Sequence, residues 1–309
     1  MQLLVLGSAA GGGFPQWNCN CANCRRARRG DPAAKPRTQS SLAVRADGGD
    51  WVLLNASPDL RTQLERTPPL HPRAGGRDSP IAGVVLTNAD VDHVAGLLTL
   101  RESQPLALYA TPRILDALAA NPVFGVLNPD HVARRPMALD RPLELCDRHG
   151  APIGLRIEAF AVPGKVALYL EDPAASNNFG TAPEDTIALE VQSLDGAGRF
   201  FYVPGCAAMT PELADRIDGA ALVLFDGTLW RDNEMIAAGV GHKTGQRMGH
   251  LSMSGPEGAI AAFAAIAVGR KLFIHINNTN PVLLADSAER ATAEAAGWEI
   301  AEDGMEIVL

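Results

Sequence analysis

Residues 87–96, TNADVDHVAG, decide the fold of this chain. The apolar run IAGVVL before them predicts a buried strand, and the run VAGLLTLRE at their end has a helical pattern. The turn between strand and helix carries four side chains with ligand atoms: Asn88, Asp90, Asp92 and His93. Oxygen and imidazole groups in one turn are typical of a site for a hard or borderline metal ion. A polar turn with an Asp helix cap would look the same, so the rest of the chain has to distinguish these two interpretations.

The composition indicates a globular protein with an aliphatic core. The 309 residues are 47% hydrophobic and only 5% aromatic, with a net charge of −8, which suits one large domain or two small ones. The basic segment RRARRGDPAAKPR, which starts at Arg25, is interpreted as a solvated loop. We therefore expect neither nucleic acid nor a membrane as a partner. The pattern of cysteines and the absence of a signal-peptide pattern predict a reducing, cytoplasmic compartment.

Three cysteines close to the N-terminus predict a second, structural metal site. Cys19, Cys21 and Cys24 form the pattern Cys-x-Cys-x-x-Cys, which places three thiolates on one tight loop where they can converge on tetrahedral zinc. Three clustered thiols without a metal would be prone to oxidation. We therefore expect a zinc-binding loop at about residues 17–30, with a fourth ligand from elsewhere in the chain.

The flanking sequence predicts alternating strands and helices in both halves of the chain. Apolar runs such as LALYA and ALVLFDG predict strands, and helices begin after the capping residues Thr111 and Thr210. VALYLE at residues 166–171 predicts a further strand, and residues 254–269 predict one capped helix. Residues 122–150 are mixed and are interpreted as a connecting excursion or a lid. The order predicts two packed sheets with helices outside both.

Ligand-type side chains recur where the predicted strands end. Outside the turn they are Asn55, Lys165, Cys206, Asp226 and His275, and His250 lies in a loop before a helix. A single His at a strand end is more often packed or solvated than a metal ligand. Three of the seven His residues, together with several carboxylates at one edge of the fold, favour a metal site.

The order of these motifs resembles the metallo-β-lactamase superfamily, whose turn T-H-x-H-x-D-H-x-x-G corresponds to residues 87–96, with Asn88 and Asp90 in place of its first two His. MGHLSMSG and KLFIHIN are similar to the His-bearing motifs of its tRNase Z and phosphodiesterase branch, in which a Cys-rich loop binds structural zinc. The resemblance implies an α/β (α+β) fold, an αββα sandwich of two mixed sheets with helices on both outer faces, in a single domain of residues 1–309. It places the fourth zinc ligand at Asn278, a residue type that binds zinc poorly.

The resemblance also implies that one of the two metal positions of the superfamily is lost. The first set of ligands is replaced by Asn88, Asp90, Lys165 and Cys206. An ammonium group beside this position would repel a second cation. The second set, Asp92, His93 and His275, is intact. Two imidazoles and one carboxylate with open coordination positions are the arrangement of mononuclear non-haem Fe(II) oxygenases, although the same ligands accept other divalent metals.

Seven strings spread over almost the whole chain, among them NASPDL, EAFAVPGK, YVPGCAAMTPEL and FIHINNTNPVL, resemble the family of pyrroloquinoline quinone (PQQ) biosynthesis B proteins. The resemblance implies a role in PQQ biosynthesis. Its members are associated with Fe(II)- and O₂-dependent hydroxylation of the tyrosine ring in a cross-linked Glu–Tyr intermediate. The alternatives are a non-catalytic carrier of PQQ and a metal-dependent hydrolase of the superfamily.

A peptide-derived Glu–Tyr substrate or PQQ is then the expected small-molecule partner. Its carboxylates suit Lys165, Lys243 and Arg247, although each of these residues taken alone is more often a solvated charge. The expected catalytic side chains are Asp90, His250 and Lys165. Asp90 and His250 would orient groups or relay protons, and Asp90 is also a candidate for a direct ligand. A homodimer and contacts with other proteins of the pathway are left open by the sequence.

Overall fold

The computed structural model describes residues 1–175, 178–196 and 198–309, in which two seven-stranded sheets pack between outer helices. The strands are β1 (Gln2–Gly7), β2 (Ser41–Arg45), β3 (Trp51–Leu54), β4 (Ile81–Val85), β5 (Leu106–Ala110), β6 (Val132–Pro136), β7 (Pro142–Cys146), β8 (Pro152–Ala161), β9 (Ile187–Ser193), β10 (Arg199–Val203), β11 (Ala220–Asp226), β12 (Val268–Ile274), β13 (Trp298–Ile300) and β14 (Glu306–Val308). The α-helices are α1 (Ala22–Arg28), α2 (Leu60–Arg66), α3 (Val91–Val94), α4 (Pro112–Ala120), α5 (Pro211–Ile217), α6 (Glu234–Ala237), α7 (Gly245–Met248), α8 (Ala259–Ala262) and α9 (Ala288–Ala295). Short 3₁₀ helices cover Pro68–Leu70, Ala95–Leu100, Pro122–Val126, Leu168–Leu170, Phe263–Ala265 and Pro281–Leu283. The predicted αββα sandwich is therefore confirmed.

Each sheet contains a block of parallel strands, and these blocks position the site. The first sheet has the order β14-β1-β2-β3-β4-β5-β6, with β3 to β6 parallel. The second has the order β13-β12-β11-β10-β9-β8-β7, with β10 to β13 parallel. Side chains at the carboxyl ends of parallel strands meet at one edge of a sheet. The ends of β3, β4, β11 and β12 carry Asn55, the turn of residues 87–96, Asp226 and His275.

Strand β4 lies between the core that separates the two sheets and the core beneath the outer helices of the first sheet. Its side chains point to opposite faces, and their alternation shifts by one residue at Ala82, where the register with β3 is irregular. Ala82 and Val85 join the core between the two sheets, whereas Ile81 and Val84 pack against the outer helices of the first sheet. A strand buried on both faces is apolar throughout rather than alternating, which is why IAGVV contains no polar residue.

Residues 122–150, interpreted as a connecting excursion or a lid, form a connection, since they contain β6 and β7, the edge strands at which the chain passes from the first sheet to the second. Two predictions about local structure are wrong. The strand predicted at residues 166–171 is an exposed loop with one 3₁₀ turn, and Leu168 there is 56% exposed. The helix predicted over residues 254–269 covers only Ala259–Ala262 and a following 3₁₀ turn, because Gly258 is extended with a ψ of 167° and caps the helix there, and β12 already begins at Val268.

No helix in the described parts of the chain combines the length and the apolar character that crossing a bilayer requires.

Candidate metal centre

Contacts with the end of β3 hold the turn of residues 87–96 in place. Asn55 has a left-handed φ of 64°. Its amide oxygen accepts a hydrogen bond from the Thr87 backbone N–H, and its amide nitrogen donates to Thr87 Oγ1, both at 2.9 Å. A Cβ atom on Gly96 would lie 2.2 Å from the carbonyl oxygen of Ser57, so only glycine allows this approach. Asn55 is therefore part of the scaffold of the turn.

Asp92, His93 and His275 converge on one point at the edge between the two sheets. One ligand atom from each lies within 4.8 Å of the others. Asp92 Oδ2 lies 3.1 Å from His275 Nε2 and 4.0 Å from His93 Nε2, and the two imidazole rings are nearly perpendicular. His275 has a φ of 59°, a strained conformation that non-glycine residues adopt mostly at functional positions. The turn and the end of β12 thus form one cluster.

The bonding of His93 shows that this cluster fits a metal ion. Its side chain is buried, yet neither ring nitrogen has a hydrogen-bond partner in the described parts of the chain. Buried polar atoms in proteins almost always have a partner. Burial lowers the pKa of His93 to about 4, which leaves the imidazole neutral and able to bind a metal through a lone pair. Burial alone would raise the pKa of Asp92, but the neighbouring imidazoles hold it below its usual value, so the third ligand is a carboxylate.

A buried pair, Asp226 and Thr228, lies behind the cluster. Asp226 is one of the strand-end side chains predicted near the site, whereas Thr228 was not predicted. Asp226 Oδ2 accepts a hydrogen bond from His250 Nδ1 at 2.7 Å, and Asp226 Oδ1 accepts one from Thr228 Oγ1 at 2.6 Å. Thr228 Oγ1 also lies 2.9 Å from His275 Nδ1. The predicted site residues His250 and His275 are thus brought together, with their rings stacked 5.3 Å apart. The only sequence signal for this pair was a carboxylate at the end of an apolar strand.

Cys206 lies beside Asp226 but has the properties of a packing residue. It is fully buried, and its Sγ donates to the carbonyl oxygen of Ala208 at 3.1 Å. Burial raises the pKa of Cys206 to about 12, so the group is a neutral thiol rather than a thiolate ligand. Its backbone N–H donates to Asp226 Oδ2 at 2.9 Å and so helps to hold that carboxylate.

Asn88 and Asp90 are bonded within the turn and its neighbouring loop. Asn88 Oδ1 accepts a hydrogen bond from the backbone N–H of Asp90 at 2.9 Å. Asp90 Oδ1 accepts one from the backbone N–H of Leu168 at 3.2 Å and lies 3.9 Å from Lys165 Nζ. Burial raises the pKa of Asp90 above its usual value, and the Lys165 charge opposes this shift. Among the described residues, the ligand atoms of Asp92, His93 and His275 cluster, and those of Asp226 and His250 form an adjoining group with His275, so Asp90 belongs to neither group and lies beside them.

The three predicted carboxylate-binding cations surround a glutamate that the sequence analysis missed. Glu171 accepts two hydrogen bonds from Arg247, at 3.0 and 2.6 Å, and lies 3.8 Å from Lys165 Nζ. The pKa of Glu171 is held below its usual value, chiefly by the Arg247 hydrogen bonds and also by the charges of Lys165 and Lys243. Arg247 can therefore bind a substrate carboxylate only by exchanging its partner or using a remaining donor.

The three cysteines form a second, separate cluster. The sulfur atoms of Cys19, Cys21 and Cys24 lie within 4.8 Å of one another. The amide nitrogen of Asn278 lies 3.1, 3.7 and 3.3 Å from these three sulfur atoms. Burial raises the pKa of the Cys24 thiol to about 12, a cost that a bound cation would offset. Three convergent sulfur atoms fit zinc, and Asn278, in the predicted fourth position, directs N–H groups at them.

Comparison with known proteins agrees with this fold. Residues 50–276 match the model of the beta-lactamase superfamily domain. Coenzyme PQQ synthesis protein B of Gluconacetobacter diazotrophicus is 58% identical over 310 residues, with 99% of each chain covered. The crystal structure of Zn²⁺-bound PqqB from Methylobacterium extorquens is 54% identical, covers 100% of both chains and superposes with a TM-score of 0.94. A diphosphatase of the PhnP family shares the fold alone, at a TM-score of 0.68, 21% identity, and 99% and 96% of the two chains.

Proposed function

Because the chain belongs to the coenzyme PQQ synthesis protein B family within the β-lactamase superfamily, we propose that it acts in PQQ synthesis as a metal-dependent enzyme. More specifically, it is proposed to hydroxylate the tyrosine ring of a cross-linked Glu–Tyr intermediate with Fe(II) and O₂. The observation that carries the proposal is the cluster of Asp92, His93 and His275, in which both nitrogens of buried His93 lack a partner among the described residues.

A single metal supports an oxygenase better than a hydrolase. Metal-dependent hydrolases of the two-metal type place a nucleophile between cations about 3.5–4 Å apart. Here Lys165 Nζ lies 3.9 Å from Asp90 Oδ1, so an ammonium group already balances a carboxylate of the position where a second metal would bind. Two imidazoles and one carboxylate around one metal match the ligands of non-haem Fe(II) oxygenases, and Fe(II) there would supply the one-electron chemistry that activates O₂.

The remaining side chains suit the handling of an acidic phenol. His250 donates from Nδ1 to Asp226, which leaves Nε2 as the ring nitrogen with a lone pair that can accept a phenol proton. Lys165, Lys243 and Arg247 supply positive charge for the substrate carboxylates. In the reaction, one atom of O₂ enters an aromatic C–H bond as a hydroxyl group, and two electrons and two protons from a reductant convert the other atom to water.

The test is anaerobic reconstitution with Fe(II), followed by mixing with the Glu–Tyr compound, a reductant and O₂. We expect substrate-dependent O₂ uptake and a product that carries one additional oxygen atom by mass spectrometry. An Asp92→Ala variant should show neither. Absence of uptake and product in the reconstituted protein would refute the hydroxylase, and tight PQQ binding by the metal-free protein would then favour a carrier.

A further inference from the structure

The carboxylate of Asp226 accepts four hydrogen bonds, and because it can only accept, each of its partners must be the donor. The residue is 0% exposed. Oδ1 accepts from the backbone N–H of Thr228 at 2.9 Å and from its Oγ1 at 2.6 Å. Oδ2 accepts from the backbone N–H of Cys206 at 2.9 Å and from His250 Nδ1 at 2.7 Å. A carboxylate only accepts hydrogen bonds, so His250 must carry its proton on Nδ1.

The hydroxyl of Thr228 in turn determines which ring nitrogen of His275 carries the proton. A hydroxyl group has one proton to donate. The two oxygen acceptors within reach of Thr228 Oγ1 are Asp226 Oδ1 at 2.6 Å and the His275 carbonyl oxygen at 3.0 Å. The Nδ1 atoms of His275 and His250 also lie 2.9 and 3.1 Å from Thr228 Oγ1, but the charge-assisted bond to Asp226 is the shortest and the strongest of these contacts, so the proton is directed at Asp226 Oδ1. Thr228 Oγ1 must then accept from His275 Nδ1, which lies 2.9 Å away.

We infer that Asp226 and Thr228 are positioning residues that set the Nδ1–H tautomer of both His275 and His250. With Nδ1–H held by Thr228, a metal bound between His275 and Asp92 would take the place of the hydrogen bond that Nε2 of His275 makes with Asp92 Oδ2 at 3.1 Å, and Nε2 would present its lone pair to that metal. Nε2 of His250 is likewise left as a proton acceptor. Carboxylates that fix metal-binding imidazoles through the second ring nitrogen are a general feature of metal sites. One buried carboxylate thus prepares one imidazole to bind a metal and a second to accept a proton.

Two Thr228 variants separate this role from simple packing. Thr228→Val keeps the shape of the side chain and removes the hydroxyl, whereas Thr228→Ser keeps the hydroxyl. With zinc loaded on the cysteine cluster, titration with Co²⁺ should show roughly 10–100-fold weaker binding to the Asp–His cluster of Thr228→Val. Thr228→Ser should bind as the wild type does. Equal Co²⁺ affinity in Thr228→Val and the wild type would overturn the inference.

Nitrogen-15 NMR of histidine-labelled, Zn²⁺-loaded protein reports the tautomers directly and does not depend on any variant folding. We expect both His275 and His250 to carry the proton on Nδ1 in the wild type. In Asp226→Asn one carboxylate oxygen becomes an NH₂ group, so either His250 or Thr228 loses its acceptor, and at least one of the two imidazoles should move its proton to Nε2. A wild-type His250 or His275 with an unprotonated Nδ1 would contradict the inference.

The inference rests on the metal site of the proposed function, but the experiments can refute the positioning role and the hydroxylase independently. If the protonation pattern and Co²⁺ affinities are as expected while the Fe(II) protein forms no oxygenated product, the hydroxylase is refuted and the positioning role stands. If product forms and Thr228→Val retains full Co²⁺ affinity, the positioning role is refuted and the hydroxylase stands.

Discussion

The cluster of Cys19, Cys21 and Cys24 and the cluster of Asp92, His93 and His275 are two candidate metal sites built in opposite ways. In the cysteine cluster the ligands lie within six residues, and Asn278 directs N–H groups at all three sulfur atoms. In the Asp–His cluster, Asp92 and His275 are 183 residues apart, and both nitrogens of His93 lack a partner among the described residues. Sulfur ligands that lie close together in one loop suit a structural ion, and ligand atoms left without partners suit a reactive one.

The two clusters are also connected through the chain. His275 and Asn278 are three residues apart in the segment that follows β12. Asn23, on the cysteine loop, donates from its amide nitrogen to the carbonyl oxygens of Asn278, Thr279 and Asn280 at 3.2, 2.9 and 3.2 Å. The cysteine loop therefore holds the segment that presents the last ligand of the Asp–His cluster.

The largest expected effect comes from His93→Ala. The variant removes one of three ligands, so it should lose the metal of the Asp–His cluster and retain zinc at the cysteines. Metal analysis of purified protein measures this directly. His149→Ala, which changes an exposed imidazole, is the matched control and should keep both metals. Wild-type metal content in His93→Ala would mean that the metal is bound elsewhere.

Cys21→Ser should have the next largest effect, and on stability rather than on chemistry. Binding of structural zinc is coupled to folding, so loss of one thiolate should lower the free energy of unfolding by about 2 kcal/mol or more. Because the cysteine loop holds the segment after His275, the variant should also weaken metal binding at the Asp–His cluster.

Denaturant unfolding and metal titration test both parts of that prediction. Cys146→Ser is the control, since Cys146 lies outside the cluster and its Sγ makes only a contact of 3.9 Å with the carbonyl oxygen of Glu144. Wild-type unfolding of Cys21→Ser would show that the cysteine site is not structural. Unchanged metal affinity at the Asp–His cluster would show that the two sites are independent.

A smaller effect is expected from Glu234, which contacts the segment between the clusters. Its carboxylate accepts from Thr279 Oγ1 at 2.6 Å and from the Trp230 backbone N–H at 2.8 Å. Burial raises the pKa of Glu234 from 4.5 to about 7. The folded state therefore binds this proton more tightly than the unfolded state, and stability is lost as pH rises from 4.5 toward 7.

Glu234→Gln should remove that part of the pH dependence, which amounts to about 1 kcal/mol per pH unit or less. Above the folded-state pKa the variant should be more stable than the wild type. Urea unfolding across this pH range measures the difference, with the exposed Glu257→Gln as control. Parallel pH profiles for Glu234→Gln and the wild type would contradict the assignment.

The prediction of the fold succeeded where strands are long, apolar and buried on both faces, as in β4 and β11. It failed at edge strands and loop segments. Most residues of strands β6 and β7 are partly or fully exposed, so neither strand has the apolar pattern of a buried strand. Their place in the sheets depends on pairing with the neighbouring strands. The apolar VALYLE segment lies in a loop because it has no strand partner, although Tyr169 does donate to the carbonyl oxygen of Ala89 at 3.0 Å.

Prediction of the site likewise succeeded for residues close together in the chain and failed for residues with no local signal. Spacing within the chain was enough to predict that Asp92 lies beside His93 and that Cys19, Cys21 and Cys24 converge, because residues so close in one turn or loop have few ways to separate. Its position at the end of an apolar strand made His275 a candidate, and the resemblance to a superfamily placed it in one ligand set with Asp92 and His93. Glu171 and Thr228 had no distinguishing sequence signal, since a single Glu or Thr is common on any surface.

The sequence alone thus determined two local sets of ligands and the sandwich of sheets that carries them. Only the tertiary structure decided that Asp226 and Thr228 lie behind His275 and His250, that Arg247 is already paired with Glu171, and that the nitrogens of His93 are left without partners among the described residues. The physical reason is that hydrogen bonds and burial depend on which strand ends meet. The meeting of two parallel blocks from separate sheets is a property of the packed chain and of no single segment.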